Sequence, residues 1–224
     1  MHERELADRA LVIHAERLRT RRPRGTERSS TGVHAFWFGP LPEFLSFPAD
    51  RFPIWFGGGE AVDRDIAERF GAALDQIADE SGGEALSAQQ EAGRIVLVDQ
   101  MSRNIHRNRP EAYALDPLAR QFSRQAMAAG LDRFRLVERV FVMLPLGHSE
   151  SLTDQDDALE AFLRDVAPHA PADNPLYQAS HVQSRKHRDI IARFGRFPQR
   201  NAILGRTSTA EEIAFLAEAR LGPF

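Results

Sequence analysis

Residues 61–77 of the chain read AVDRDIAERFGAALDQI. The large apolar residues of this stretch recur every three or four positions: Ile66, Phe70, Leu74 and Ile77. This spacing puts them on one face of an α-helix that can pack against a core. The same period returns downstream in two sets of residues: Leu136, Val137, Val140, Phe141 and Leu144, and Ala158, Phe162 and Val166. Because no segment alternates convincingly in the manner of a strand, we expect an all-α fold of about seven helices.

Polar residues mark where several of these helices begin. Ser87 is followed by Gln90 at the spacing of a capping box, in which each side chain bonds the backbone N–H of the other residue. Thr209 and Glu212 repeat this pattern near the carboxyl end of the chain. Both pairs predict the start of a helix.

Other residues predict the remaining helix boundaries. Asp116 followed by Pro117 fits an N-cap and the first turn, and Gly130 fits the end of that helix. Pro145 closes the apolar stripe that begins at Leu136, so we expect the helix to end there.

Composition limits the classes of protein that the chain can belong to. Its 224 residues, of which 42% are hydrophobic and 27% charged, suit a globular domain with a substantial core. The absence of cysteine excludes disulfides, thiolate nucleophiles and Cys-ligated metal centres. No apolar run approaches the roughly 20 residues of a membrane span, and the first residues lack the apolar stretch of a secretory signal. We therefore expect a cytoplasmic protein without a membrane partner, and the net charge of −3 argues against nucleic acid.

The N-terminal part of the chain differs from the rest. Residues 1–33 are rich in arginine and indicate a basic, peripheral extension, so we place a single helical domain at residues 34–224. The segment from Phe36 to Phe56 is rich in aromatic rings and is interrupted by prolines that forbid a long helix. These rings are either anchors buried against the helices that follow or a platform on which a ligand stacks.

A first polar cluster lies after residue 96. On a regular helix, Asp99, Arg103 and His106 share the face opposite the apolar residues Leu97, Val98, Met101 and Ile105. An exposed Asp99–Arg103 pair would be a minor salt bridge. If other helices cover this face, it becomes a buried polar network whose members must all be hydrogen-bonded.

A second cluster is His148-Ser149-Glu150, which follows a predicted helix. Histidine is the residue type most often used for acid–base catalysis, so His148 is a candidate general base, with Glu150 or Asp99 to orient it. Ser149 lacks the glycine-flanked turn of a serine nucleophile, so we interpret it as a side chain that binds helix-end backbone groups.

A third cluster extends from His187 to Arg206. Its candidate ligand-binding residues, taken together with Arg103 of the first cluster, are Arg196, Arg200, Asn201, Arg206 and His187. Arginines near helix ends can receive a carboxylate or a phosphate, or can pair with the chain's own acidic residues. No two metal ligands share a helix face at the usual spacing and no phosphate-binding glycine loop is present, so we expect neither a metal nor an organic cofactor.

These motifs together resemble a bacterial family known as domain of unknown function 924. The matching elements span about Phe36 to Leu216, in order: Phe36-Trp37-Phe38-Gly39, Trp55-Phe56-Gly57, Leu97-Val98-Asp99-Gln100 with Arg103-Asn104, Asp116, Leu144-Pro145 with His148-Ser149-Glu150 and Gln155, His187, Phe194-Gly195-Arg196-Phe197-Pro198 with Arg200-Asn201, and Leu204-Gly205-Arg206. The resemblance implies stacked helical hairpins of the tetratricopeptide-repeat-like kind and implies no established activity. Gln199 stands where the family usually has histidine, and Met101-Ser102 replaces a Phe-Pro pair.

Three functional hypotheses follow from these residues. The first is a binding protein whose pocket takes a small anionic ligand such as a phosphate or carboxylate. Six residues would build this pocket: Asp99, Arg103, His148, Glu150, Arg196 and Arg200. The second is a metal-independent hydrolase or lyase that uses His148 with Glu150 or Asp99. The third is a structural module that contains a buried ionic network and binds a protein partner on its surface.

Overall fold

The computed structural model of the chain describes residues 29–56, 58–77 and 86–218. The prediction of an all-α fold is confirmed, since these residues form helices and turns and no strand. The α-helices are α1 (Ser30–Phe38), α2 (Phe52–Phe56), α3 (Glu60–Gln76), α4 (Ala88–Val96), α5 (Ser102–Ile105), α6 (Asp116–Ala128), α7 (Leu136–Gly147), α8 (Leu152–Asp165), α9 (Pro175–Phe194) and α10 (Ala210–Glu218). A π-helical turn, Leu97–Met101, joins α4 to α5, so the three form one continuous rod.

The core is built from the apolar stripes that the sequence predicts. Ile66, Phe70 and Leu74 are buried on α3, and Ile77 is buried directly after it. Helix α4 packs against α1, while α6, α7, α8 and α9 pack in sequence order, each against the next. This order agrees with stacked helices, and the tetratricopeptide-repeat-like arrangement stays a prediction.

The packed part of the chain begins earlier than position 34. Ser29 caps α1 by accepting a hydrogen bond from the backbone N–H of Gly32, and Val33 is fully buried. The domain boundary after residue 33 stays a prediction, and the first described helix begins before it, at Ser30. The basic residues before Ser29 lie outside the described ranges.

The aromatic segment supplies anchors for the core. Trp37 and Trp55 both pack against Phe141 of α7, with ring centroids 5.8 and 4.9 Å from it. The indole N–H of Trp55 also donates to the carbonyl of Trp37, at 3.1 Å. The segment is irregular as predicted, since α1 ends at Phe38 and the next α-helix, α2, begins only at Phe52. The other rings of the segment are buried or partly buried, whereas 64% of the surface of Phe56 is exposed.

Two of the predicted helix boundaries are wrong. Helix α7 continues through Pro145 to Gly147, because a proline can remain in a helix whose packing compensates for the missing N–H. Asp116 does not cap α6; it is the first helical residue, and its carboxylate binds two arginines instead. Gly130 does follow the end of α6, with a φ of 103°.

Both predicted capping boxes are confirmed. The Ser87 hydroxyl accepts from the Gln90 N–H at 3.3 Å, and the Gln90 side chain accepts from the Ser87 N–H at 2.9 Å. Thr209 and Glu212 make the same reciprocal bonds at the start of α10. Among the helices described, none is both long and apolar enough to cross a bilayer.

The contact between α1 and α4 yields a test of the packing. A Cβ at Gly93 would lie 2.0 Å from the backbone oxygen of Ser30, which only a shift of a whole helix can relieve. We expect Gly93→Ala to lower the free energy of unfolding by about 3 kcal/mol. Gly71→Ala in α3 is the matched control, because a Cβ there meets nothing within 4 Å. It should be neutral or stabilise by up to about 1 kcal/mol; equal effects of the two substitutions in urea denaturation would contradict this account.

Candidate functional site

The π-turn determines where Asp99 points. The backbone N–H of Ser102 donates to the carbonyl of Leu97, five residues earlier, so the rod gains about one residue in this turn. Asp99 is thereby carried into the interior, where 1% of its surface is exposed. The prediction that His106 shares the face of Asp99 is wrong, because His106 lies beyond the shifted turn and bonds Arg109 at the surface, at 2.8 Å.

Asp99 binds the imidazole of His148. Both of its carboxylate oxygens lie within hydrogen-bond distance of His148 Nδ1, at 2.9 and 3.1 Å. His148 is the residue directly after α7, and its backbone N–H donates back to Leu144. The side chain of His148 keeps 13% of its surface exposed, and its Nε2 has no hydrogen-bond partner within residues 29–56, 58–77 and 86–218. The two residues form an acid–imidazole dyad with one open nitrogen.

Two further side chains support the Asp99 carboxylate. Gln100 Nε2 donates to it at 2.6 Å, and Arg103 Nη2 lies 3.4 Å from it. Burial by itself favours the neutral acid, but the charge and hydrogen bond of His148, together with Arg103 and Gln100, hold the pKa of Asp99 far below its usual range. Asp99 is therefore ionised at neutral pH.

Asp116 connects Arg103 to a second arginine. Its two oxygens lie 3.0 Å from Arg103 Nη2 and 3.5 Å from Arg200 Nη1. The ring of Tyr113 lies beside both guanidinium groups, 5.1 Å from that of Arg103 and 4.9 Å from that of Arg200. Burial and the nearby Asp99 charge raise the pKa of Asp116 despite the two arginines. From Asp99 of the dyad, negative and positive side chains therefore alternate through Arg103 and Asp116 to Arg200.

Gln155 holds the turn that carries His148. Its side-chain N–H groups donate to the carbonyls of Gly147 and Ser149, at 2.8 and 2.7 Å, and these carbonyls flank His148. The Ser149 hydroxyl donates to Asp154 at 2.5 Å, which agrees with a helix-end role for this serine. Gln155 was not among the predicted site residues, although it is one of the motif residues that carry the family resemblance.

His187 lies next to the dyad and is buried. Its Nδ1 bonds the carbonyl of Gly147 at 3.0 Å, and its ring centroid is 6.3 Å from that of His148. Burial, and then repulsion from His148 and Arg200, lower the pKa of His187 to about 3. His187 is therefore uncharged at neutral pH, and its bond to Gly147 supports the turn that carries His148.

Glu150 does not pair with His148, and the predicted His148–Glu150 couple is wrong. Its carboxylate accepts from the backbone N–H of Phe197 at 2.8 Å and from Arg206 at 2.6 and 3.0 Å. Arg206 also donates to the carbonyl of Phe197. Burial opposes ionisation of Glu150, but the bonds from Arg206 and Phe197 lower its pKa. Glu150 fastens the loop after α9 to the turn of His148.

Arg196 and Asn201 are placed away from the dyad. Arg196 makes two bonds to the Glu212 carboxylate, at 2.6 and 2.8 Å, and Asn201 donates to the same carboxylate at 3.2 Å. The bond from Arg196 and the Thr209 N–H lower the pKa of Glu212 to about 2. These residues hold α10 to the preceding loop. Among the described residues, Arg196 and Asn201 therefore share Glu212 as a hydrogen-bond partner, and neither bonds Asp99 or His148.

Two polar clusters were missed in the sequence. His34 of α1 binds the buried Glu138 of α7, and Asp63 of α3 accepts bonds from Asn104 and Arg107. Their partners are 41 to 104 residues apart in sequence, and no local pattern signals such pairs. Within the described part of the chain, no three side chains of His, Cys, Asp or Glu are grouped so that they could hold a metal ion.

Comparison with known proteins identifies the family. The model of a family described as bacterial protein of unknown function (DUF924) matches residues 33–220. The chain belongs to the DUF924 family. A solved structure of a protein of unknown function from Agrobacterium tumefaciens is 34% identical to this DUF924 chain, with a TM-score of 0.62. The alignment covers 74% of this chain and 89% of that one. No curated protein matches the chain.

The buried dyad makes a prediction about the stability of this DUF924 protein. Asp99→Asn removes a charge that His148 and Arg103 share in the interior, so we expect the free energy of unfolding to fall by about 3 kcal/mol. Asp156→Asn is the control, because Asp156 and its partner Arg188 are largely exposed, and it should cost less than about 0.5 kcal/mol. A loss below about 1 kcal/mol for Asp99→Asn would show that the carboxylate is solvated.

His187 makes a prediction about pH. Its pKa is lower in the folded chain than its ordinary value of 6.5, so the unfolded chain takes up a proton that the folded chain excludes. This contribution to stability is complete above pH 6.5 and is lost as the pH falls toward 3. Between pH 6.5 and 5 we expect the free energy of unfolding to fall by up to about 1.4 kcal/mol per pH unit. His187→Gln should flatten this slope in urea titrations; an unchanged slope would assign it to other groups.

Proposed function

We propose that this DUF924 protein is a metal-independent acid–base enzyme, a hydrolase or lyase, in which His148 is the general base and Asp99 orients it. One observation carries the proposal: both oxygens of the buried Asp99 lie at His148 Nδ1, while Nε2 has no partner in the described residues. A cytoplasmic location is part of the same proposal.

The charge state of Asp99 fixes the chemistry of the imidazole. An ionised carboxylate can only accept hydrogen bonds, so Nδ1 carries the proton and the lone pair is on Nε2. Nε2 takes a proton from water or from a substrate group, and the imidazolium that forms is stabilised by Asp99. The same Nε2–H then returns the proton to the leaving group, which restores the resting state.

The surroundings of the dyad keep this geometry in place. Gln155 fixes the carbonyls on both sides of His148, and Gln100 and Arg103 fix the carboxylate. General bases act efficiently when neighbouring side chains hold their orientation in this way. Glu150, the alternative orienting residue, is committed to Arg206 and the Phe197 backbone and takes no part in the proposed proton transfer.

A structural module that binds a protein partner is the second candidate. It is favoured by the internal pairing of the carboxylates of Asp99, Asp116 and Glu150 with arginines, which satisfies them without a ligand. On this account, substitutions in the dyad change stability alone. The enzyme proposal additionally requires that they change a reaction rate in protein that remains folded.

The enzyme proposal is tested with a panel of chromogenic esters, amides and phosphoesters. For any substrate that wild type turns over, we expect His148→Gln and Asp99→Asn each to lower kcat/KM by about 10²–10⁴-fold. The double variant should lose little more, because the two residues act as one unit. His106→Gln, a surface histidine outside the dyad, is the control and should keep the wild-type rate.

A second measurement needs no substrate. ¹⁵N NMR of the histidine rings at neutral pH should show His148 protonated on Nδ1, and Asp99→Asn should abolish that preference. Wild-type rates in folded His148→Gln would overturn the enzyme proposal in favour of the structural one.

A further inference from the structure

Arg200 is held in a fixed position near the dyad. It ends the short turn Pro198–Arg200 after α9, and its guanidinium lies between two aromatic rings, 4.9 Å from Tyr113 and 4.4 Å from Phe197. The side chain keeps 11% of its surface exposed. Contact with two rings restricts the movement of the guanidinium, and its hydrogen bonds form at its N–H edge.

That edge has donors without partners. The hydrogen bond that Arg200 makes to the described residues runs from Nη1 to Asp116 at 3.5 Å, which is long. Its Nε and Nη2 groups have no acceptor in this part of the chain. Arg206 and Arg196, in contrast, each make two bonds to one carboxylate and a third to a backbone carbonyl. Arg200 thus makes fewer hydrogen bonds to the described residues than Arg196 and Arg206 do, and it retains donors for an anion.

The balance of charge indicates what kind of anion fits. The network around the dyad holds the carboxylates of Asp99, Asp116 and Glu150 and the guanidinium groups of Arg103, Arg200 and Arg206, which is three of each sign. This network is neutral, so a ligand with one negative charge adds a single charge, which the N–H groups of Arg200 can bind. A dianion adds two negative charges in a poorly solvated place, which costs more free energy.

Electrostatics at Arg200 point the same way. Burial and repulsion from Arg103 lower the pKa of Arg200, although Asp116 partly offsets them. An added acceptor at the open edge relieves this repulsion. Two coplanar oxygens match the fork of a guanidinium, and a carboxylate supplies them with a single charge.

We propose that Arg200 binds the carboxylate of the substrate, so that the site takes a small carboxylic acid whose reacting group reaches His148. This inference rests on the proposed function for the part of the substrate that reacts at His148, and on the contacts of Arg200 for the carboxylate that it binds. The two ends are linked by contacts, because Phe197 touches both Arg200 and His187, and the His187 ring lies 6.3 Å from that of His148.

The test is a titration of the wild-type chain with acetate, benzoate and inorganic phosphate at constant ionic strength, followed in ¹⁵N NMR through the Arg200 Nε–Hε signal and through the backbone amide signals. The backbone amide signals report binding in Arg200→Lys, which lacks the guanidinium. We expect a saturable shift with both carboxylates and a weaker response to phosphate. Arg200→Lys keeps the charge but loses the fork, so carboxylate affinity should fall about tenfold or more. Arg188→Lys is the matched control at an exposed ion pair and should bind as wild type does.

Three results would overturn the assignment: no saturable shift, equal binding by Arg200→Lys, or tighter binding of phosphate than of carboxylates. The wild-type titration is decisive even if Arg200→Lys does not fold. His148→Gln separates this proposal from the previous one. If His148→Gln still binds carboxylates, the role of Arg200 is supported whether or not the dyad is catalytic. If the dyad proves to be inactive, only the proposed enzyme function fails, and the binding result still stands.

Discussion

The carboxylate of Asp99 lies in the interior with its charge intact, and the surrounding structure is organised to compensate for it. A buried charge is tolerated when it is paired and fully hydrogen-bonded. His148, Arg103 and Gln100 meet that requirement directly, and Asp116 extends it by balancing Arg103. Because these partners come from the α4–α5 rod, the end of α7 and the start of α6, one carboxylate connects helices that are distant in sequence.

The fold follows closely from the sequence, whereas the site follows only in part. Apolar periodicity and capping boxes are local, so the stripe around Phe70 and the Ser87 cap could be recognised from spacing alone. The partner of His148 depends on tertiary packing. Sequence proximity favoured Glu150, which is two residues from His148. In the structure, Glu150 instead binds Arg206, and His148 binds Asp99, which is 49 positions earlier in the chain.

The arginines show the same limit. Their number and placement near helix ends predicted sites for anions, and in the structure most of them bind the chain's own acids. Arg196 and Arg206 cannot be told from Arg200 by residue type or spacing. They differ in the acceptors within reach. Arg196 and Arg206 each bond both oxygens of one carboxylate, whereas Arg200 shares the carboxylate of Asp116 with Arg103 and lies 3.5 Å from it.

The π-turn before α5 has a consequence for how such a site is inherited. Asp99 lies within this turn, and the extra residue changes the directions of the side chains in the turn and after it. The inward position of Asp99 therefore depends on the number of residues in the turn as well as on residue identity. A homologous chain with the same acidic residue but one residue fewer in this turn would aim that residue elsewhere. A sequence alignment that places this one-residue gap a few positions away would then align two acidic residues whose carboxylates lie at different positions in the two structures.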